Sequence, residues 1–354
     1  MSEVGVSSTP ESPDQPLLSI IVLAHDRRRY LQEAVRSVVD QDFERSRYEI
    51  IVVKNFVENE LEAYLAKVGA TSVYCPAVPA PDKVAAGFDR SRGRVILLLD
   101  DDDYFERTRL RVVAEAFGSR PNLGFFGNQV AYIDPDGARL APRAPARVGN
   151  RPRNPSGNLL IEVPRNARSL RAIAHRRPDF NVGSTAVRRE IVEQCRPYLA
   201  RLRMTVDTMF FFAALVSPYS ILLDERPLTR YRIHPENSSL AGGGPKEVRA
   251  QRLLDFARVA EEDYLVIQEY VRASRSWIGM RLMESRLLVV RLTASCRDPR
   301  AQRGTYARLL LKVPRYLDTY PVRESTPTVV AATLCLLSPR AGRAAYRNQM
   351  GVGA

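Results

Sequence analysis

Short apolar runs alternate, over the first hundred positions, with segments whose apolar residues recur every three or four places. The run Leu18 to Ala24 ("LSIIVLA") is β-branched enough to predict a central strand. After it, "DRRRYLQEAVRSVVDQ" sets Tyr30, Leu31, Ala34, Val35 and Val38 at helical spacing, and "YEIIVV" is again a strand. Such a β-α-β unit implies parallel strands joined by a right-handed crossover. The pattern then repeats. "NELEAYLAKVG" predicts a helix with Leu61, Leu65 and Val68 on one face and Gly69 as its stop, "TSVYC" a weak strand, and "DKVAAGFDRSRG" a short helix ending at Gly93. "RVILLL" predicts the next strand. The fold class expected is α/β, a mostly parallel central sheet flanked by helices.

Further along, "ERTRLRVVAEAF" reads as a helix and "LGFFGNQVAYI" as a strand closed by the turn "DPDG". From Asp134 to Phe180 there are ten arginines against four acids, with prolines throughout, which predicts a long, mobile, cationic loop region. Regular structure is expected again at "NVGSTAVRREIVEQC". "VDTMFFFAALV" reads as a buried helix, "YSILLDE" as a strand, and "LTRYRIHPENSS" as a second strand running into a turn. "AGGGP" marks a boundary, and residues 245 to 354 read as almost wholly helical, amphipathic and basic. The organisation predicted is a disordered tail over 1–15, an α/β domain over 16–240 and a helical region over 241–354.

Composition narrows the classes. At 354 residues and 45% hydrophobic content the chain can bury a sizeable core. Its net charge of +13 and pI near 9.8 suit nucleic acid, an anionic membrane face or phosphate-bearing substrates. No zinc-finger spacing and no RNA-recognition motif is present, so no nucleic-acid partner is expected. Cys75, Cys195, Cys296 and Cys335 stand singly, a pattern that predicts neither a zinc site nor a disulfide framework and favours a reduced, cytoplasmic setting. The run "LLSIIVLA" follows an acidic, Ser/Pro-rich tail and lacks a small-residue cleavage site, so it reads as a strand rather than a signal peptide. No stretch reaches the roughly 18 apolar residues of a spanning helix. "TVVAATLCLL" near the C-terminus is expected to lie on a membrane, if it meets one, and not to cross it.

The chemistry concentrates in "VILLLDDDDYF". Five apolar residues run into Asp100, Asp101, Asp102 and Asp103, four carboxylates that repel one another unless something positive sits among them. In open α/β sheets the ligand crevice lies beyond the carboxyl ends of the strands, where this quartet falls. An oxygen-rich site of this kind suits Mg2+ or Mn2+ with positions left for phosphate oxygens.

The order "SIIVLAHDR", "YEIIVV", "DKVAAGFDRSRGRVILLLDDDD" and a later "VD" resembles the inverting glycosyltransferases of family 2, which have the GT-A fold, over roughly Leu17 to Ser239. The resemblance implies that the aspartate block is a DxD motif. Asp102, with Asp103 beside it, would ligate the metal, and Asp100 would approach the ribose of a nucleoside-diphosphate-sugar, with Asp101 in a variable place of the donor site. His25 stands where the family has a tyrosine, followed by Asp26 and Arg27, and an imidazole can stack on a base in its place. Lys83 matches a cationic position near the diphosphate, and His234 a histidine facing the metal. Where the family often reads "VVDDGS" this chain has "VVKNF", so base recognition must rest on other groups, Asn55 among them. Asp207 matches the second member of an "ED" motif and would be the base that takes the acceptor proton. Its place before an apolar helix also suits an N-cap. Arg230 and Arg232 either clamp phosphate or decorate a strand. The implied acceptor is a glycan or a polyprenyl-linked glycan, with peripheral contact to an anionic membrane face. The rival reading is an inactive GT-A relative that binds a sugar nucleotide or nucleic acid, for which Lys54 in place of aspartate is the warning sign. A nucleotidyltransferase would need a phosphate-cradling glycine loop, and "AHDRRRY" has none.

Overall fold

Four parallel strands carry the first half of the molecule: β1 (Leu18–Ala24), β2 (Tyr48–Lys54), β3 (Ala70–Tyr74) and β4 (Val95–Asp100), in the order β3-β2-β1-β4. They come from a computed structural model that describes residues 15–25, 28–140, 157–176, 180–234, 237, 246–319 and 326–349. The expected disordered tail therefore lies outside the described residues, apart from residue 15. Helices α1 (Leu31–Val39), α2 (Asn59–Lys67) and α3 (Ala80–Arg90) make the crossovers that the repeated pattern predicts. Gly69, at φ +66°, is the left-handed stop after α2.

Beyond β4 the sheet turns mixed. Strand β8 (Thr185–Arg188) runs antiparallel between β4 and β6 (Leu123–Ile133), and β9 (Ser220–Arg232) is parallel to β6. The short strands β5 (Tyr104–Phe105) and β7 (Leu159–Ile161) pair antiparallel with β9. The two strands expected from "YSILLDE" and "LTRYRIHPENSS" are one, β9. Register shifts opposite Pro227 let it pass a residue that cannot donate to the ladder.

Side chains alternate across this sheet with the strand period of two. Ile20, Val22, Ile50, Val52, Leu97 and Leu99 face α1, α2 and α4 (Arg109–Gly118). Ile21, Leu23, Ile51, Val53, Ile96 and Leu98 face α3, α6 (Arg189–Leu199) and α7 (Val206–Val216). Each fully buried aliphatic side chain contributes about 1.5–3 kcal/mol relative to exposure. Helix α7 is apolar on every side because it is covered on every side. Part of that cover comes from α8 (Lys246–Ala273) and the first half of α9 (Trp277–Arg297), whose Ile267, Val271, Ile278 and Leu282 belong to the same core. The rest of α9 forms a second, smaller core with α10 (Arg303–Leu310), α11 (Thr326–Leu337) and α12 (Pro339–Gln349). All four cysteines are free and buried.

Two expectations about local structure are corrected. The stretch Asp134 to Phe180 is not loop throughout, because β7 and α5 (Ala167–Arg176) lie in it, while 141–156 and 177–179 fall outside the described residues. One of its arginines is structural: Arg165 donates to the carbonyls of Ala214, Ser217 and Tyr219 at the C-terminal end of α7, where a cation is favoured, and burial lowers its pKa to about 10. Gly93 does not end α3, which stops at Arg90. A Cβ on Gly93 would lie 2.5 Å from the backbone nitrogen of Ser19, so this glycine lets the start of β4 close against β1. Gly93→Ala is expected to cost roughly 1–3 kcal/mol by overpacking, read as a lower urea midpoint. An unchanged midpoint would show that the strands can part without penalty.

Candidate active site

β1 and β4 run side by side with Leu23 opposite Asp100, while β2 and β3 continue on the far side of β1. The chain order reverses between these two strands, and a crevice opens there at their carboxyl ends. His25 and the aspartate quartet emerge into it together.

The four aspartates part company at once. Asp101, 1% exposed, turns back into the fold and accepts the backbone N–H of His25 at 3.0 Å, which pins the end of β1 to the end of β4. Through this contact Asp101 also fixes the position of His25, the residue expected beside it in the donor site. Asp100, Asp102 and Asp103 each offer an oxygen to one place, all within 4.8 Å of one another. Three carboxylate oxygens at that spacing fit a hard divalent cation with positions left for other oxygens.

Asp103 is buried, and burial first, then the charges of Asp102 and Asp100, push its carboxyl well above the ordinary carboxylate range. Hydrogen bonds partly offset this: it accepts the backbone N–H of Arg232 at 2.9 Å and the side-chain amide of Asn181 at 3.0 Å. His234, also buried, places Nε2 3.0 Å from Oδ2 of Asp102 and packs its ring against Tyr30. The expected histidine is thus beside the expected metal ligand, positioned to orient that carboxylate or to join it.

Arg232, 1% exposed, reaches the quartet with both its backbone and its side chain. Its Nε donates to the carbonyl of Asp102 at 2.9 Å, one Nη to the carbonyl of Pro135 at 2.7 Å and the other to Glu33 at 2.6 Å, with the guanidinium 4.2 Å from the centre of the Tyr30 ring. Arg230 is engaged with Glu106 at 2.7 Å and the Tyr104 hydroxyl at 3.0 Å. Both arginines therefore brace the protein, and neither presents the simple phosphate clamp or strand decoration considered for it.

Lys83 and His25, far apart in sequence, meet with Nζ 2.8 Å from Nδ1. A charged Lys83 there would donate to Nδ1, which would leave Nε2 to carry the ring proton. Lys54 is turned away from the crevice: it is buried, with Nζ 2.5 Å from Glu62 on α2. Burial raises the Glu62 pKa, but hydrogen bonds from Lys54 and Ser72 and the Lys54 charge bring it below the ordinary value. Asn55, next in the chain after the end of β2, is half-buried, and Arg27 lies outside the described residues.

Asp207 sits in the first turn of α7, with Oδ1 accepting the N–H of Thr208 at 2.6 Å, and the N-cap is Thr205. The cap is supplied from a distance. Asp263 on α8, 1% exposed, accepts the N–H of Arg203 at 2.8 Å and, at 2.9 Å each, those of Met204 and Thr205, together with the Thr205 hydroxyl at 3.0 Å. A carboxylate there satisfies orphan donors and suits the positive end of the helix. Asn181, Glu33 and Asp263 were not anticipated. For Asn181 and Glu33 the only signal was polarity next to a predicted element, and Asp263 lay in an unremarkable helical heptad.

Residues 19–196 match the model of the glycosyl transferase family 2, and no curated protein matches the sequence. Among solved structures, S. aureus TarS 1–349 in complex with UDP is 13% identical, with 94% of this chain and 91% of that chain covered and a TM-score of 0.49. The mannosyltransferase PcManGT from Pyrobaculum calidifontis, in complex with GDP-Man and Mn2+, is 13% identical, with 93% and 89% covered and a TM-score of 0.49. The family match takes in just over half of the chain, from β1 through the aspartate quartet to α6, and on that ground the chain belongs to glycosyltransferase family 2, its helix-flanked sheet being the GT-A architecture.

Proposed function

We propose that the protein is an inverting, metal-dependent glycosyltransferase that moves a sugar, a hexose or a related one, from a nucleoside-diphosphate-sugar to a hydroxyl of a glycan or polyprenyl-linked glycan. The observation that carries this reading is the convergence of Asp100, Asp102 and Asp103 on one place at the end of β4, with His234 against Asp102. Asp102 and Asp103 would hold Mg2+ or Mn2+, with His234 completing or orienting the set, and Asp100 would face the ribose. Bound there, the cation would offset charge building on the departing diphosphate. His25, Lys83 and Asn55 line the donor side, where Lys83 adds positive charge and Asn55 a donor and an acceptor for a base edge; Arg27 is proposed for the same side from the motif alone. Asp101 is proposed for the donor site with them, where it also holds His25 in position.

Transfer in one displacement forms a bond from the acceptor oxygen to the anomeric carbon as the bond to the diphosphate oxygen breaks, and Asp207 takes the hydroxyl proton. We assign the transferase unit to 16–240 and the helical region to 241–354, in a cytoplasmic protein with peripheral contact to an anionic membrane face. Among the described residues no helix is long and apolar enough to cross a membrane.

Asp207→Asn tests the base. Nucleoside diphosphate release in the presence of acceptor should fall on the order of 10²–10⁴-fold, while stabilisation of the folded protein by nucleoside diphosphate and Mn2+ stays as in wild type. Full transfer by the variant would remove Asp207 from the mechanism and leave the donor site standing.

A further inference from the structure

We propose that the outer face of α11, together with the cations around it, is a docking surface for an anionic lipid bilayer. This gives a location to the peripheral contact named above, and it does not depend on the transferase chemistry.

Helix α11, "TPTVVAATLCLL", contains no charged residue, and a helix apolar on all sides normally has all sides covered. Among the described residues only one side is covered here. Thr328, Ala331, Ala332 and Cys335 are buried against α9, α10 and α12. Val330, Leu334 and Leu337, spaced along the opposite face, are 46%, 37% and 74% exposed. Leu311, at the end of the neighbouring α10, is 82% exposed. Val330, Leu334 and Leu337, aligned on one helix face, mark a contact surface rather than scattered exposure.

Charge identifies the occupant. The described residues from 297 onward hold nine Arg and Lys against two acids, Asp298 and Asp318. Both acids are engaged by arginines of preceding helices, Asp298 by Arg258 at 2.8 Å and Asp318 by Arg281 at 2.8 Å. Arg303, Arg308, Lys312 and Arg340 are exposed. Arg303 donates to the carbonyl of Leu337 at 3.0 Å, which fixes a cation at the edge of the apolar face. Apolar side chains bordered by cations suit the boundary between acyl chains and anionic headgroups. The long amphipathic α8 is a poorer candidate, because its apolar side is committed to the core at Leu254, Ile267 and Val271.

The test is co-sedimentation of the full chain with vesicles of phosphatidylcholine alone or mixed equally with phosphatidylglycerol. At low salt the mixed vesicles should carry at least roughly tenfold more protein than the neutral ones, and high salt should reverse most of this. Leu334→Ser/Leu337→Ser, which changes only exposed side chains, should abolish binding with the unfolding midpoint unchanged. Arg308→Glu/Lys312→Glu should weaken it severalfold, and Asp102→Ala should bind as wild type does, so that loss of the donor site and loss of docking are told apart. Equal binding of wild type and Leu334→Ser/Leu337→Ser, or no preference for the anionic vesicles, would overturn the proposal. So would a dimer in light scattering that the same double substitution dissolves, since a second copy would then be the cover.

Discussion

Asp102→Ala is expected to abolish the thermal stabilisation that a nucleoside diphosphate and Mn2+ together confer on the wild-type protein. A ligand at a hundredfold its dissociation constant stabilises the folded state by about 2.7 kcal/mol, and the whole of that shift should vanish. Asp102 is the member of the quartet that both joins the converging oxygens and contacts His234. Its loss removes a ligand and leaves the histidine without that partner. The effect should depend on pH with a definite sign. Asp103 holds its proton in the folded state well above the range in which it does so unfolded, about 3.9. Between those two values the folded state binds more protons, so without metal the stability from this group is fully present below the unfolded value and declines as pH rises toward the folded one. A cation must displace that proton. Stabilisation by Mn2+ should therefore grow across the same window, which melting curves in chelator and in Mn2+ at stepped pH would show. A wild-type protein indifferent to every diphosphate with metal would favour the inactive relative over the enzyme.

Arg232→Met should be strongly destabilising, by roughly 2–4 kcal/mol in denaturant unfolding, because buried acceptors lose their donor at about 1–3 kcal/mol each. Methionine roughly fills the volume but leaves the carbonyls of Asp102 and Pro135 without their buried donor and Glu33 without its partner. It also removes a buried cation that is hydrogen-bonded to the quartet. Added Mn2+ should consequently stabilise the variant more than it does the wild type, because repulsion among Asp100, Asp102 and Asp103 is then less compensated. A cost below about 1 kcal/mol would mean that Arg232 only fills space.

The alternation of Ile20, Val22 and Ala24 with Ile21 and Leu23, and the helical spacing of α1 and α2, were legible because each depends on neighbours a few residues away. The mixed half of the sheet was not. Whether β8 runs up or down between β4 and β6 depends on connections that pass through the arginine-rich stretch, and no local period records direction. At the site, the quartet and His234 were legible through the motif they carry. The motif gave no sign that Asp101 would turn inward, since four identical side chains look alike until the turn after β4 aims them. Arg232 was seen but misjudged: its neighbours Glu33 and Asp102 are far from it in the chain, and only the fold brings them into one network.

The carboxylate of Asp263 at the start of α7 bears on where this protein can be divided. It lies beyond residue 196, the end of the family match, yet it ties down the turn from which Asp207 projects, and the helix that bears it buries Ile267 and Val271 in the core of the sheet. Inheritance and folding thus draw different borders. The segment that the family model matches is shorter than the core it helps to build, and a graft of this sheet into another chain would have to bring α8 and the opening turns of α9 with it.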